Sequence, residues 1–387
     1  MCDSQDVNIV VDHHIHGAME VPAHLLSRRH FVGLSGIGLG AVLLAACGRV
    51  NDADVPTENS TASTASTAST ATTPAPTSTN ITTQEASTTT KPSTSTSQSK
   101  PEESTTAVAE NPNTLAGFDM FADTVKVTND GTWWLVESNG LPAHNMMVGI
   151  RSWQQQVPTS QPYIGSNAWR IPITPALASS PISARTALYR GAIALAANGV
   201  PIFNALNNRG EDAFLVGELD DWGGHAGRAD DYHYHVAPLH LQRTVGQGRP
   251  IAFALDGFPI YGDTEPDGSK VRSLDEFNGH TMPDGSYHYH GTTTYPYING
   301  GLRGRVSVVG DQIDPQPITR PFREATSPLQ GATINSFDAG ASGTYRLGYS
   351  IGNKSGEVAY SVSTAKVEFT FTDINGVVTT ETYVRRP

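Results

Sequence analysis

Six histidines of this sequence fall into two matching constellations. Gly224-His225 is followed, six residues on, by Tyr232-His233-Tyr234-His235, and Gly279-His280 is followed, again after six residues, by Tyr287-His288-Tyr289-His290. Successive side chains of a strand alternate between its faces, so His233 and His235 form a two-point clamp while Tyr232 and Tyr234 face the other way. A third imidazole eight residues upstream, His225 or His280, can reach the same point, which gives the three-histidine set with an open position used by catalytic zinc. Nitrogen donors without a thiolate suit a transition metal ion, copper or zinc with nickel as a competitor, and disfavour calcium and magnesium. Asp220 and Asp275, each five residues before its Gly-His histidine, are expected as outer acceptors for a ring N–H or as general bases. His144 is a further candidate ligand, whereas His240 is expected to be structural. Packing histidines satisfied by carbonyls and carboxylates are the alternative to a metal, and the recurrence of three histidines at one spacing in two places argues against it.

The elements that position them are themselves duplicated. Ile193-Ala194-Leu195-Ala196-Ala197-Asn198-Gly199-Val200-Pro201-Ile202-Phe203 matches Ile251-Ala252-Phe253-Ala254-Leu255-Asp256-Gly257-Phe258-Pro259-Ile260-Tyr261, and Leu219-Asp220-Asp221-Trp222-Gly223-Gly224-His225 matches Leu274-Asp275-Glu276-Phe277-Asn278-Gly279-His280. Such self-similarity marks a repeated structural unit. β-Branched and aromatic runs such as Thr132-Trp133-Trp134-Leu135-Val136 and the alternating Lys366-Val367-Glu368-Phe369-Thr370-Phe371 read as strands. Asn139-Gly140, Asn198-Gly199, Asp256-Gly257 and Asn375-Gly376 are each expected to supply the two positive-φ positions of a tight hairpin. Pro142, Pro201 and Pro259, two residues after three of these pairs, suggest edge strands or bulges. A helix fits only Ser183 to Ala197, and the repeat turns even its second half into a strand. The expected fold is therefore mainly β, with a β-sandwich as the candidate architecture, built from a duplicated β-hairpin and His-motif unit with long loops. The two units are expected to pack matching faces about a pseudo-two-fold axis, so that the six histidines converge into two three-histidine sites or one shared centre.

The doubled Tyr-His-Tyr-His, the segment Asp256-Gly257-Phe258-Pro259-Ile260-Tyr261-Gly262 and the closing Tyr295-Pro296-Tyr297 and Gly301-Leu302-Arg303-Gly304 together resemble the YHYH domain of bacterial exported proteins over roughly residues 135 to 310. That family is functionally uncharacterised, so the resemblance implies an envelope setting and no reaction.

The N-terminal part reads as export machinery. Ser27-Arg28-Arg29-His30-Phe31-Val32 leads into an uncharged Gly/Ala/Leu-rich run that stops at Leu44-Ala45-Ala46-Cys47. The run is too short and glycine-rich to span a membrane comfortably. The paired Arg28 and Arg29 look like a twin-arginine signal, and the last four residues look like a lipobox at which Cys47 is acylated. Residues 1–47 are thus expected as a signal peptide, of which 1–18 fit no export role, because Met19 makes the more ordinary start. Residues 48–111 are Ser/Thr/Ala/Pro-rich, with a Ser-Thr-Ala run at 60–71, and lack the apolar content to offset ordering entropy; a disordered linker is expected. The YHYH domain is then expected over 112–330 and a C-terminal β-hairpin extension over 331–387. Cys2 and Cys47 are the only cysteines, so the domain is built without a disulfide or thiolate ligand. The formal net charge of -12 argues against nucleic acid as a partner.

Three functions fit these residues: an envelope lipoprotein that binds or handles copper or zinc, a metal-dependent enzyme (zinc hydrolase or copper oxidoreductase), and a surface module with structural histidines. The first is preferred, with the lipid bilayer, through acylated Cys47, and a metal ion as partners. Replacing Arg28 and Arg29 by lysine is expected to hold a precursor in the cytoplasm, and Cys47→Ser to release the protein from the membrane fraction. Normal export of the double-lysine variant on fractionation would refute the twin-arginine reading.

Overall fold

The computed structural model describes residues 114–384; Arg28, Arg29, Cys47 and the stretch 48–111 lie outside the described residues. Strands dominate. β1 (Lys126–Asn129), β2 (Trp133–Glu137) and β3 (Trp169–Pro172) form an antiparallel three-stranded sheet, and β4 (Leu177–Ser183) follows. The first repeat supplies β5 (Ala192–Ala196), β6 (Pro201–Phe203), β7 (Gly224–Ala226) and β8 (Tyr232–Tyr234). After the short α1 (Gln242–Val245), the second supplies β9 (Ala252–Ala254), β10 (Pro259–Tyr261), β11 (Gly279–Thr281) and β12 (Tyr287–His290). β13 (Gly301–Gly304) returns to pair with β4, and β14 (Ser307–Val309) and β15 (Gln312–Asp314) make a hairpin. The chain ends in β16 (Ala332–Ala339), β17 (Thr344–Ile351), β18 (Lys354–Val362), β19 (Lys366–Thr372) and β20 (Val378–Val384).

Both repeats lie in one eight-stranded sheet, in the order β11-β12-β10-β9-β5-β6-β8-β7. The order is symmetric about its middle. There β5 and β9 run antiparallel, with Ala194 opposite Ala254, Leu195 opposite Phe253 and Ala196 opposite Ala252. Phe253 is the counterpart of Leu195 in the repeat, so each central strand meets its own copy across a local two-fold axis. The two units therefore join edge to edge through β5 and β9 and do not pack face against face, and their histidine hairpins occupy opposite ends of the strand order. Ala192-Ile193-Ala194-Leu195-Ala196 explains the choice. All five residues are buried, and a strand with no polar face belongs in the middle of a sheet covered on both sides. The result is a mainly β fold of several sheets, none closed into a barrel.

The turns differ from expectation in detail. At Asn198-Gly199, Asp256-Gly257 and Asn375-Gly376 only the glycine has positive φ (78°, 94° and 79°). Gly199 N–H donates to Ala196 O at 2.8 Å and Ala196 N–H to Val200 O at 3.0 Å, with matching pairs Gly257–Ala254 and Ala254–Phe258, and Gly376–Asp373 and Asp373–Val377. These are three-residue hairpin loops with a left-handed glycine, in place of the two-residue mirror-image turn. A side chain at Gly257 would also bring a Cβ within 2.8 Å of Pro172 O. Asn139-Gly140 forms no hairpin and leads into irregular chain containing Pro142. Pro201 and Pro259 lie on interior strands, each as the first residue of its strand, where the missing N–H costs least. Residues 184–191 form turns, with no helix.

The expected C-terminal hairpin is a five-stranded antiparallel meander, β16 to β20. It is fastened to the connection between β2 and β3 by Gly149 N–H to Ile334 O and Ile334 N–H to Ile150 O, both 3.0 Å, and by Tyr360 Oη to Pro158 O at 2.6 Å. Before it, Arg323 reaches back to Asp230 with Nε–Oδ2 at 3.0 Å and Nη2–Oδ1 at 2.9 Å, and lies over the Phe369 ring at 4.5 Å. Asp230 is 1% exposed. Burial pushes its pKa up, opposed by Arg323. Removing one partner of such a pair strands a buried charge, so Arg323→Ala is expected to cost about 3–5 kcal/mol in urea unfolding. A cost below about 1 kcal/mol, the range of exposed pairs, would refute this role.

Candidate metal centres

Each histidine hairpin is set by two turns. In the first copy Asp220 N–H donates to Gly224 O, and Gly227 N–H to Asp231 O; in the second, Asp275 N–H donates to Gly279 O, and Met282 N–H to Ser286 O. Antiparallel pairing then places His225 opposite His233 and His280 opposite His288. Period-two alternation puts His235 and His290 on the same face as their neighbours.

Tyr232, Tyr234, Tyr287 and Tyr289 take the other face, all buried. Tyr232 Oη donates to Asp220 Oδ2 at 2.7 Å, Tyr287 Oη to Asp275 Oδ2 at 2.9 Å and Tyr289 Oη to Asp256 Oδ2 at 2.6 Å, while Asn198 Nδ2 donates to Tyr234 Oη at 3.1 Å. This corrects the role expected of the two aspartates. Asp220 Oδ1 also accepts from Trp222 and Gly224 N–H, and Asp275 Oδ1 from Phe277 and Gly279 N–H. Each aspartate ties the turn that precedes its hairpin and then takes a tyrosine hydroxyl; neither is hydrogen-bonded to a histidine ring. Burial pushes Asp220 and Asp256 up to about 6.

The six histidines form two groups. In the first, Nε2 of His235 lies 3.1 Å from Nε2 of both His225 and His233. The opposite ring nitrogens are anchored: His235 Nδ1 to Asn204 O at 2.5 Å and His233 Nδ1 to Asp231 O at 3.0 Å. Phe203 stacks on His233 at 3.9 Å between centroids. A carbonyl only accepts, so these Nδ1 atoms carry the protons, and in a neutral ring Nε2 is then a bare lone pair. Desolvation, with His233 adding to it, pushes His235 down to about 3, and desolvation holds His225 well below its ordinary value. His233 and His235 thus face each other through lone pairs at 3.1 Å, a repulsion that a cation between them would relieve.

The second group repeats this and adds a carboxylate. His290 Nε2 lies 3.1 Å from His288 Nε2 and 3.3 Å from His280 Nε2, and His290 Nδ1 is anchored on Gly262 O at 2.9 Å. Glu265, fully buried, reaches His280 Nε2 with Oε1 at 3.2 Å and His288 Nε2 with Oε2 at 3.1 Å. Its Oε1 also accepts Arg272 N–H at 2.9 Å. Desolvation would raise the Glu265 pKa, but the Arg272 N–H and the nearby histidines bring it below the usual value. Desolvation pushes His288 down to about 4 and lowers His290. A metal ion bound by imidazole at about 2.0–2.1 Å in a tetrahedral shell has ligand atoms about 3.3–3.4 Å apart. The separations of 3.1–3.3 Å between ring nitrogens fit that shell, so each group can hold a metal ion.

Glu265 lies outside the histidine motif. The repeat finds it when extended, because Asn207 N–H donates to Glu211 O and Gly210 N–H to Asn207 O just as Glu265 N–H donates to Ser269 O and Gly268 N–H to Glu265 O. Asn207 is therefore its counterpart. The candidate ligand His144 sits on the tyrosine face, with Nε2 2.7 Å from Tyr234 Oη and its ring stacked on Trp222 at 4.7 Å between centroids. His240 packs against the same Trp222. Neither joins a histidine group.

Residues 168–272 match the family model described as YHYH protein. The match spans the first histidine group and stops before His280, so the second is assigned by the internal repeat. No curated protein and no solved structure matches the chain.

The depressed histidines set a pH dependence. The unfolded chain takes up protons near the ordinary histidine pKa of about 6.5, whereas the folded one resists down to about 3 at His235 and about 4 at His288. Stability is therefore lost as pH falls from about 6.5 toward those values. Asp220 and Asp256, raised to about 6, act oppositely, since the folded chain protonates them first. The more numerous histidines should dominate between about pH 7 and 5 in chelator, with urea midpoints falling and His235→Gln flattening the slope. A slope indifferent to that substitution would show that the ring does not carry the effect.

Proposed function

We propose that this chain is an exported, lipid-anchored cell-envelope protein whose YHYH domain binds a transition metal ion, zinc or copper, at each of its two histidine groups. One observation carries the metal reading: the convergence of Nε2 atoms at 3.1–3.3 Å, those of His233, His235 and His290 left unprotonated because their opposite ring nitrogens donate to carbonyls. Anchored outer nitrogens are the usual support of metal-ligating imidazoles, fixing tautomer and ring direction. With purely structural histidines the lone pairs of His233 and His235 would face each other at 3.1 Å with nothing between them. Imidazole with one carboxylate suits zinc, and imidazole equally suits copper. Export rests on Arg28 and Arg29, and attachment to the membrane on Cys47. Binding or handling of metal is the reading preferred for the protein as a whole.

Full-length protein reconstituted with zinc or copper is expected to hold one ion per histidine group, two in all. His233→Ala and His288→Ala should each remove one ion, and His240→Ala neither. Chelator should lower the melting temperature of the wild type, because an ion at 100 times its Kd contributes about 2.7 kcal/mol when it binds the native state alone. Less than about half an equivalent by elemental analysis, with His233→Ala and His288→Ala melting alike in chelator and out of it, would leave the histidines structural.

A further inference from the structure

The two metal groups share one frame and differ at one position. In the second, the Glu265 carboxylate supplies a fourth ligand atom. In the first, Asn207 occupies the equivalent place and its side chain is committed elsewhere. Its Nδ2 donates to Glu211 Oε2 at 3.1 Å and to Glu218 Oε2 at 3.2 Å. Arg209 binds the same two carboxylates, at 2.6 Å to Glu211 and in a closer contact to the buried Glu218. Among the described residues no carboxylate joins His225, His233 and His235.

We infer that the first centre is an open, ligand-exchanging site that takes a small anionic or oxygen-donor ligand, such as hydroxide or a carboxylate, while the second is closed by Glu265. This rests on the metal reading above. Charge supports it together with geometry. A divalent ion on three neutral imidazoles keeps a charge of about +2, against about +1 where a carboxylate also binds. In surroundings this buried the uncompensated charge draws an anion or polarises a water. His225 is partly exposed, as is its counterpart His280, while the other histidines of both groups are buried, so access is alike at the two centres and the difference lies in the fourth ligand. Three protein ligands with a vacant fourth position distinguish reactive metal sites from saturated ones.

Cobalt(II) makes the difference visible, because its visible spectrum changes when an added ligand enters the shell. The full chain is loaded with cobalt(II), metal content is measured, and azide is titrated in. The His288→Ala protein, keeping only the first centre, is expected to change its spectrum with azide; the His233→Ala protein, keeping only the second, is not. Adding Asn207→Glu to the former should abolish the response, and adding Glu265→Gln to the latter should create one. If cobalt is bound at both centres and azide acts on both alike, on neither, or on the second alone, the distinction is wrong while the metal reading stands. If wild type takes up no cobalt, the metal reading falls and the distinction with it. Circular dichroism on the four variants separates a lost response from a lost fold.

Discussion

The histidine strands are buried on both faces, and most of the local structure follows from that. Every side chain of Tyr287-His288-Tyr289-His290 is buried, as is every one of Tyr232-His233-Tyr234-His235. Alternation sends polar atoms into the interior on both sides at once, and a buried polar group without a partner costs about 1–3 kcal/mol. On the tyrosine side Asp220, Asp275, Asp256 and Asn198 meet the hydroxyls. On the histidine side backbone carbonyls meet the outer ring nitrogens of His233, His235 and His290. The inner nitrogens face one another, joined in the second group by the Glu265 carboxylate, and a cation placed between them would satisfy those that have no proton to share.

Duplication supplies the frame, and divergence within it is confined to a few positions with physical consequences. Asp256 accepts from Tyr289 while its counterpart Asn198 donates to Tyr234, which is in turn within reach of His144. Asp230 has φ of 54° where the second copy has Gly285 at 88°. A left-handed aspartate is tolerable when its carboxylate is held, and Arg323 together with Val157 N–H holds this one. The same substitution thus made an attachment point for the segment leading into the C-terminal sheet.

Much of this was legible in the sequence, and the limits have identifiable causes. Histidine spacing and two-residue alternation are local, so the clustering of His225, His233 and His235, and of their copies, could be read directly. The repeat implied a two-fold relation, but whether its units meet by faces or by edges depended on how the all-apolar β5 is covered, which is a tertiary matter. Asp220 and Asp275 were misread because chain proximity to a histidine said nothing of strand face; a turn aspartate whose Oδ1 captures N–H groups two and four residues on directs its other oxygen to the tyrosine side. Glu265 was missed because it lies fifteen residues before His280 and comes close only through the pairing of β10 with β12. The meander beyond residue 331 was reduced to a hairpin because only its Asn375-Gly376 turn carried a strong signal.

The loops carrying Glu265 and Asn207 show how the two centres came to differ. Each leaves the strand beside its histidine strand, β10 or β6, and closes through the same backbone turn. In the first copy the loop is locked by its own side chains, with Arg209 and Asn207 bridging Glu211 and Glu218 and Asp212 accepting from Tyr297 Oη at 2.9 Å. None of these contacts requires a metal. In the second copy the acidic tip residue is turned inward, and a metal ion there would tie the loop at 265 to β11 and β12. That connection is what a disulfide provides in other domains, and this domain has no cysteine to make one. An ion bound only by the native arrangement stabilises it by mass action. On the proposed reading, an ion in the closed centre would serve the fold. The open one, released from that duty by a salt-bridged loop, has a coordination position available for something other than the protein.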